Sequence, residues 1–300
     1  NAQIAEMIAA APSRFMGLGA VPLQDPEAAA EMLLQLRDDF GLNGVEIGSN
    51  IDGKMLGDAC FDPFWRAAED LGMAVFVHAL HPVAVKPISA NPLYTAFAGF
   101  PIDVAMAAAS LMTSGTLTRF PGLRIGFSHG GGALGSILGR LDKGWHAANR
   151  YGVDDMMKPS EQAQRLYYDS NVYDPVYLRH LITEIAPGQV FAGTDYPYAI
   201  MQEGLPEFFA SAGLDEGASA RRASHHVGNH GRVHRPFPLA GFEPLFRASQ
   251  QAREICNLNM EVIVQAFDYS GKTVLVVGGS SGIGNATAQA YREQGATVHI

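Results

Sequence analysis

Short runs rich in β-branched and aromatic residues alternate with longer helical stretches between residues 15 and 196. This alternation is typical of a parallel α/β architecture. Two helical stretches have clear boundaries: one begins at Asp25 and Pro26 and stops at Gly41, and the other, Phe61–Leu71, closes at Gly72. The pattern predicts six strands, at residues 15–21, 44–49, 74–80, 124–130, 165–171 and 190–196.

Nearly every predicted strand ends in a polar or glycine-rich segment. Catalytic groups lie at the carboxyl ends of the strands in a (β/α)₈ barrel. A doubly wound sheet has one ligand crevice at its switch point and does not need a polar residue on nearly every strand end. We therefore predict an incomplete TIM-type barrel that lacks its first two strands, with roughly 60–80 residues expected before the start of the chain. The polar strand ends are Glu46, His78, His129, Asp169 and Asp195.

Three of these strand ends carry groups that can bind a metal ion or act beside one. The segments are VFVHAL with His78, FSHGGG with His129 and FAGTDYP with Asp195. Neutral imidazole and carboxylate suit Zn²⁺ or another divalent ion, and a few of them at a barrel mouth can leave a position open for water or substrate. One such histidine alone is more often structural, but three matched strand ends in sequence order favour a metal site.

Together with the YYDS strand and the arginine of LGR, these segments resemble the metal-dependent amidohydrolase-related family. That family includes aminocarboxymuconate-semialdehyde decarboxylase and the resorcylate decarboxylases, and the resemblance covers about residues 1–220. It implies that His78 and Asp195 are metal ligands, that Asp195 closes the catalytic site, and that His129 is the catalytic residue that activates bound water or polarises the substrate. It also implies that Arg140 binds a substrate carboxylate, from its own subunit or from the neighbour in a homodimer.

The implied substrate is a small, aromatic or unsaturated carboxylic acid, and the implied reaction is decarboxylation or hydrolysis. Arg140 has a simpler interpretation, as a helix-surface residue paired with Asp142 or with solvent. The family also carries an H-x-H pair of metal ligands on its first strand, and this sequence contains no H-x-H. We therefore expect the chain as given to bind metal weakly and to be inactive.

A second motif, VVGGSSGIG at residues 276–284, follows a predicted strand at 273–279 and opens a predicted helix. Gly278, Gly282 and Gly284 let the backbone approach a pyrophosphate at the helix N-terminus. The context resembles the opening of short-chain dehydrogenases/reductases over about residues 260–300. The resemblance implies a partial Rossmann βαβ unit, and NAD(P) as cofactor only if that domain were complete, because the catalytic serine and Tyr-x-x-x-Lys pair of the family lie further downstream.

The stretch between the two resemblances has a different composition. Residues 221–259 hold six arginines and two glutamates, without lysine or aspartate, inside a chain of net charge −9. His226, His230 and His234 have a helical metal-binding spacing, but Gly228 and Gly231 disfavour the helix. A reading-frame error or a gene junction explains the change more simply. We therefore divide the chain into a truncated barrel (1–220), a junction (221–259) and a dinucleotide-binding fragment (260–300).

The composition of the chain excludes several further classes of protein. With 21 basic against 30 acidic residues, the chain has no cationic field for nucleic acid or anionic membranes. The apolar runs fall short of the ~18 residues that cross a membrane, and two cysteines build no disulfide framework, so we expect a cytoplasmic protein. The alternatives are a fragment of an NAD(P)-dependent short-chain oxidoreductase and a non-functional fusion of two neighbouring genes.

Overall fold

A computed structural model of the chain describes residues 1–12, 15–83, 91–150, 156–198, 200–213, 273–275 and 297–299. Backbone contacts divide the chain into two units, Asn1–Gly241 and Phe242–Ile300. All the described residues of the candidate metal site belong to the first unit.

The first unit is built on one six-stranded parallel sheet. A separate antiparallel hairpin, β3 (Asn50–Ile51) with β4 (Lys54–Met55), follows the second strand. The sheet order is β1-β2-β5-β6-β7-β8, so each strand pairs with the next sheet strand along the chain and the order never reverses. This is the strand order of a TIM-type barrel, as predicted, and not of a doubly wound sheet. The strands are β1 (Leu18–Gly19), β2 (Gly44–Gly48), β5 (Ala74–His78), β6 (Arg124–Phe127), β7 (Tyr167–Asp169) and β8 (Val190–Phe191).

The helices form where the sequence carries their start and stop signals. The Asp25 carboxylate accepts a hydrogen bond from the N–H of Ala28, and Pro26 occupies the first turn. Gly72 ends the third helix with a φ of 63°. The helices are α1 (Ala2–Ala10), α2 (Pro26–Asp38), α3 (Asp62–Leu71), α4 (Pro92–Thr113), α5 (Thr116–Arg119), α6 (Leu134–Arg150), α7 (Pro159–Ala163), α8 (Pro175–His180) and α9 (Leu205–Ser211).

Alternate strand residues face opposite sides of the sheet. Val75 and Val77 of β5 are buried in the main apolar core, where they pack with residues of the surrounding helices. On the other face, Ala74 belongs to a small second cluster with Tyr167 and Phe191. Because side chains alternate along a strand, His78 shares this inner face with Ala74 and places its imidazole at the barrel mouth.

The strands are shorter than the sequence predicts. The runs at 15–21 and 190–196 each contribute only a two-residue strand, and the other strands end one to three residues early. The reason lies in the polar ends: His129 and Asp195 have φ values of 55° and 60°, which no strand residue adopts. The backbone leaves the sheet at the points where it presents the candidate ligands.

One helix departs from an expectation of the sequence analysis. Residues Ala96–Thr113 of α4 form an 18-residue window of mean hydropathy 1.4, long and apolar enough to cross a membrane, although no such run was expected. Half of that window is buried inside the protein, and it contains Asp103, which is fully buried. The length and composition of α4 therefore fit a helix of the protein core as well as they fit a membrane-spanning helix.

The second unit is described at two short strands. β9 (Thr273–Leu275) and β10 (Thr297–His299) pair in parallel, with Val274 opposite Val298. β9 lies within the strand predicted at 273–279. The intervening helix, Gly278, Gly282 and Gly284, and the whole of the 221–259 junction fall outside the described residues.

Candidate metal centre

Three of the predicted site residues converge at the carboxyl ends of the strands. His78 is the last residue of β5, His129 lies in a short turn after β6, and Asp195 lies in the segment after β8. One ligating atom from each side chain lies within 4.8 Å of the others. Two imidazoles and a carboxylate at this spacing are a donor set for a divalent transition metal.

His78 is oriented by its own backbone and by Asp195. Its Nδ1 lies 3.1 Å from the carbonyl oxygen of Ala79, so Nδ1–H donates there and Nε2 is the nitrogen left for the cluster. Nε2 lies 3.7 Å from Oδ1 of Asp195. Burial is the largest effect on the pKa of His78 and lowers it, but hydrogen bonding to Asp195 and the charges of Glu46 and Asp195 outweigh it and raise the pKa.

Asp195 is the anionic member of the cluster. Hydrogen bonding from His78 is the largest effect on its pKa and lowers it, and the nearby histidines and Asn171 act in the same direction against burial. The carboxyl group is therefore ionised at neutral pH. The ionised carboxylate is in the form that binds a metal cation, and His78 can bind one through Nε2 when that nitrogen carries no proton.

His129 stands in a strained turn and in apolar surroundings. The ring of Phe100 lies 6.5 Å from its ring in a stacked orientation, and Ser128 Oγ lies 3.1 Å from Nδ1. Burial, helped by the charge of His78, lowers the pKa of His129 to about 4 against the opposing effect of Asp195. His129 is thus neutral at pH 7 and is a proton acceptor.

The end of β7 holds the turn and segment that carry His129 and Asp195. Asp169, which is buried, accepts a hydrogen bond at Oδ1 from the N–H of Gly130 at 2.8 Å. Burial raises the pKa of Asp169 to about 6. The next residue, Ser170, accepts the N–H of Gly193 at 3.1 Å through its hydroxyl oxygen. One strand end therefore fixes the His129 turn on one side and the Asp195 segment on the other.

Among the residues that the structure describes, no hydrogen bond or ion pair joins Arg140 to the cluster. Arg140 is exposed on α6, six residues after Leu134 and so about 9 Å along the helix from its start. It forms no ion pair with any described residue. Asp142, the partner considered from the sequence, is instead 3.1 Å from Lys158 Nζ.

Sequence reasoning found the three converging side chains but missed the groups around them. Asp169 was recognised as a strand end without a role, and Phe100, Ser170 and Asn171 were not singled out. For Ser170 and Asn171, the sequence offered one signal, the polar run directly after the YYD strand. Nothing local indicates Phe100, which reaches His129 from α4.

Comparisons with known proteins show the family of the chain. Residues 1–223 match the family described as Amidohydrolase. The 2-amino-3-carboxymuconate-6-semialdehyde decarboxylase of Dictyostelium discoideum is 33% identical over 203 residues, which cover 67% of this chain and 56% of that protein. The chain thus spans little more than half the length of this curated relative.

Solved structures show the same relationship. The 5-carboxyvanillate decarboxylase of Sphingomonas paucimobilis matches with a TM-score of 0.63 and 31% identity, covering 75% of this chain and 69% of that one. The 5-carboxyvanillate decarboxylase of Novosphingobium aromaticivorans, solved with manganese, matches with a TM-score of 0.59 and 25% identity, covering 73% and 64%. The fold is of the TIM type, and the site is a cluster of two histidines and an aspartate that could hold a metal ion. The chain belongs to the amidohydrolase family that the match over residues 1–223 defines.

Proposed function

We propose that this chain forms the metal-binding part of a metal-dependent decarboxylase, which acts on a small aromatic or unsaturated carboxylic acid. The observation that carries the proposal is the convergence of His78, His129 and Asp195 at the barrel mouth. The relatives described above, which are named as decarboxylases of such acids, support it.

The donor set fits a divalent ion. His78 offers Nε2 because Nδ1 is occupied by the Ala79 carbonyl, and Asp195 offers an ionised carboxylate. We propose these two residues as ligands and Zn²⁺ as the ion, with Mn²⁺ as the competing choice because a structural neighbour was solved with manganese. A bound divalent ion would act as a Lewis acid and stabilise the negative charge that develops as a carboxylate is lost.

His129 is placed to move the proton. Its low pKa keeps the imidazole neutral at pH 7, so it can accept a proton, and once protonated it returns that proton readily. In the proposed reaction the bond between the carboxyl carbon and its neighbour breaks, and carbon dioxide leaves. The electron pair remains on the neighbouring carbon, which receives the proton from His129. One proton is consumed for each carbon dioxide released.

We propose that Arg140 of a neighbouring subunit binds the substrate carboxylate. A guanidinium binds a carboxylate through two parallel hydrogen bonds, and the exposed position of Arg140 on α6 leaves it accessible to a second copy of the chain. A homodimer is therefore part of the proposal, as are a cytoplasmic location and the absence of nucleic-acid and membrane partners.

A second candidate function concerns the other unit. The parallel pairing of β9 with β10 supports a dinucleotide-binding βαβ fragment over residues 260–300, with Gly278, Gly282 and Gly284 near the pyrophosphate of NAD(P). Binding of NADH to the full chain, followed by the fluorescence of the nicotinamide ring, tests it. A blue shift in that fluorescence is expected, and an unchanged spectrum at millimolar NADH would overturn it.

The decarboxylase is tested with the full chain, stripped of metal with a chelator and reloaded with Zn²⁺ or Mn²⁺. The missing H-x-H pair predicts weak metal binding and an inactive chain, whereas the convergence of His78, His129 and Asp195 favours binding, and this experiment decides between the two. On the proposed function we expect one equivalent of ion to bind and carbon dioxide to be released from 2,6-dihydroxybenzoate, the acid named for one of the structural neighbours. His129→Gln should bind the ion and release no carbon dioxide, while His146→Gln, a change at an exposed histidine on α6, should behave as wild type. Full activity of His129→Gln would contradict the proposed proton transfer, and a reloaded chain without carbon dioxide release would contradict the reaction.

A further inference from the structure

Asp103, on α4, carries a fully buried carboxyl group that the proposed reaction does not use. Hydrogen-bond donors from two other parts of the chain converge on it. Its Oδ2 accepts a hydrogen bond from Asn50 Nδ2 at 2.9 Å and another from the Ser49 hydroxyl, and its Oδ1 accepts the backbone N–H of Val83 at 2.9 Å. Burying a carboxyl group costs free energy that an apolar side chain would not, so its presence in the core requires an explanation.

Asn50 extends this contact to the segment that follows His78. Its Nδ2 also donates to the carbonyl oxygen of His81 at 3.1 Å and to that of Leu80 at 3.4 Å. Carbonyl oxygens only accept hydrogen bonds, so the NH₂ group of the amide must face this segment and Asp103 together. The pair of buried side chains therefore holds the backbone just after the end of β5.

The held segment, residues 79–83, includes the group that orients the imidazole of His78. His78 Nδ1 lies 3.1 Å from the carbonyl oxygen of Ala79, the first residue of the segment. His81 has a φ of 49°, a left-handed conformation that a residue other than glycine adopts only where surrounding contacts hold it. Without the bonds to the two buried side chains, the Ala79 carbonyl would no longer be fixed beside Nδ1.

The same part of α4 also contacts the turn that carries His129. The ring of Phe100 lies 6.5 Å from the imidazole of His129, and the Pro101 carbonyl oxygen accepts the N–H of Ala133 at 3.0 Å. Asp103 follows Phe100 by three positions, so the two residues are neighbours on the helix surface. One turn of α4 thus contacts both histidine-bearing segments, whose imidazole centroids lie 5.1 Å apart.

We propose that Asp103 is a positioning residue of the metal centre, which acts through Asn50 and residues 79–83 to hold His78 with Nε2 directed at the cluster. The inference rests on the proposed function only in taking His78 as a metal ligand. Val83 donates to one oxygen of Asp103 and Asn50 to the other. Asp103→Asn would turn an NH₂ group towards one of these donors, so an amide cannot replace the carboxyl group.

The first test measures the Mn²⁺ affinity of the full chain by competition with a chromophoric chelator, and its stability by urea unfolding. Asp103→Asn and Asn50→Ala should each weaken Mn²⁺ binding by about 10-fold, the lower end of the loss that follows when a residue behind a metal ligand is changed. Ser49→Ala is the matched control, because it removes a hydrogen bond to the same oxygen of Asp103. The Ser49 side chain has no hydrogen bond to residues 79–83, all of which the structure describes.

Ser49→Ala should therefore lower the free energy of unfolding and leave the Mn²⁺ affinity unchanged. Wild-type affinity in Asn50→Ala would overturn the inference. Equal losses of affinity in Asn50→Ala and Ser49→Ala would overturn it as well, because the loss would then follow stability alone.

A second measurement needs no metal and no variant of Asp103. The nitrogen chemical shifts of the histidine rings in the metal-free full chain, recorded well above the ordinary histidine pKa of about 6.5, report which nitrogen carries the proton. His78→Gln identifies the signals of His78. We expect Nδ1 to carry the proton in wild type and in Ser49→Ala, and the proton to be shared between both nitrogens in Asp103→Asn.

A wild-type His78 with its proton on Nε2 would overturn the inference. Failure of wild type to bind Mn²⁺ would instead remove the proposed function, and the ring signals would still decide whether Asp103 holds His78. The two failures are therefore distinguishable.

Discussion

The Asp169 carboxylate accepts a hydrogen bond from the backbone N–H of Gly130, the residue that directly follows His129, at 2.8 Å. The same oxygen accepts the N–H of Asn171 at 3.0 Å. A side chain at the end of β7 thereby fixes the turn that presents the proposed proton-transfer residue from β6. Asp169 is a positioning residue in this arrangement, since it acts through Gly130.

We predict that Asp169→Ala is strongly destabilising and Asp169→Asn much less so. Alanine leaves two buried N–H groups without an acceptor, at a cost of about 1–3 kcal/mol each, whereas the amide oxygen of asparagine can still accept them. Urea unfolding measures the free-energy difference between the variants. Equal destabilisation by both changes would show that the charge of Asp169, and not its acceptor oxygen, matters.

Gly132 is the site of a second prediction. Its φ is 59°, and a Cβ there would overlap the carbonyl oxygen of Pro101 on α4. Gly132→Ala should therefore lower the free energy of unfolding by at least about 2 kcal/mol and displace the His129 turn. Gly139→Ala is the matched control on α6, where a Cβ meets nothing within 4 Å. We expect it to be neutral or to stabilise by up to about 1 kcal/mol. Thermal unfolding measures the stability of both variants relative to wild type. A Gly132→Ala variant as stable as Gly139→Ala would contradict the prediction.

Metal affinity should depend on His78. Removing a proposed ligand in His78→Ala should weaken Mn²⁺ or Zn²⁺ binding by at least about 100-fold, since changing a residue that only hydrogen-bonds to a ligand already costs about 10- to 100-fold. His146→Ala, on α6, should leave the affinity unchanged. Competition with a chromophoric chelator measures both. Unaltered affinity in His78→Ala would remove this residue from the ligand set.

Arg140 should affect carboxylate binding without affecting the metal. Arg140→Gln is expected to weaken binding of the acid by about 10-fold or more, because a charge-assisted hydrogen bond contributes about 1.5–3 kcal/mol. Metal affinity should stay the same, because Arg140 does not contact the cluster. If the residue acts across a dimer, mixing Arg140→Gln with His78→Ala should restore part of the carbon dioxide release, as mixed dimers hold one intact site. Normal acid binding by Arg140→Gln would favour the surface interpretation.

Asp142 links α6 to α7 through a pH-dependent contact. It lies 3.1 Å from Lys158 Nζ and accepts the Ser160 N–H at 2.9 Å. Burial is the largest single effect and raises the pKa of Asp142, but the hydrogen bonds from Ser160 and Lys158 together lower it. A carboxyl group whose pKa is lowered by folding stabilises the folded state at pH values above its ordinary pKa of 3.8. This stabilisation is lost as the pH falls through the lowered pKa.

The consequence is measurable in Asp142→Asn. At pH 7 the variant should be less stable than wild type by about 1 kcal/mol, and the difference should shrink as the pH falls below about 4. Urea unfolding at several pH values provides the measurement, with Lys158→Met as the partner variant. A difference that does not change with pH would assign the effect to packing.

The sequence by itself determined the class of fold and the chemistry of the site. Strand and helix periods are local, so the alternation predicted the parallel sheet, and the strand ends supplied His78, His129 and Asp195. Side chains at the carboxyl ends of parallel strands share one edge of the sheet, so their convergence followed from the topology. Strand lengths were overestimated because the left-handed backbone at His129 and Asp195 leaves no mark in the hydrophobic pattern.

Only the tertiary structure decided what holds and surrounds these groups. Asp169 reaches Gly130 across 39 positions of the chain, and Ser170 reaches Gly193 across 23. Such side-chain to backbone hydrogen bonds have no periodicity, so no local pattern predicts them. The burial that lowers the pKa of His129 likewise depends on how distant parts of the chain pack around it, and the ring of Phe100 from α4 lies against its ring. Whether a buried polar atom such as Asn171 Oδ1 has a hydrogen-bond partner depends in the same way on residues far apart in the chain.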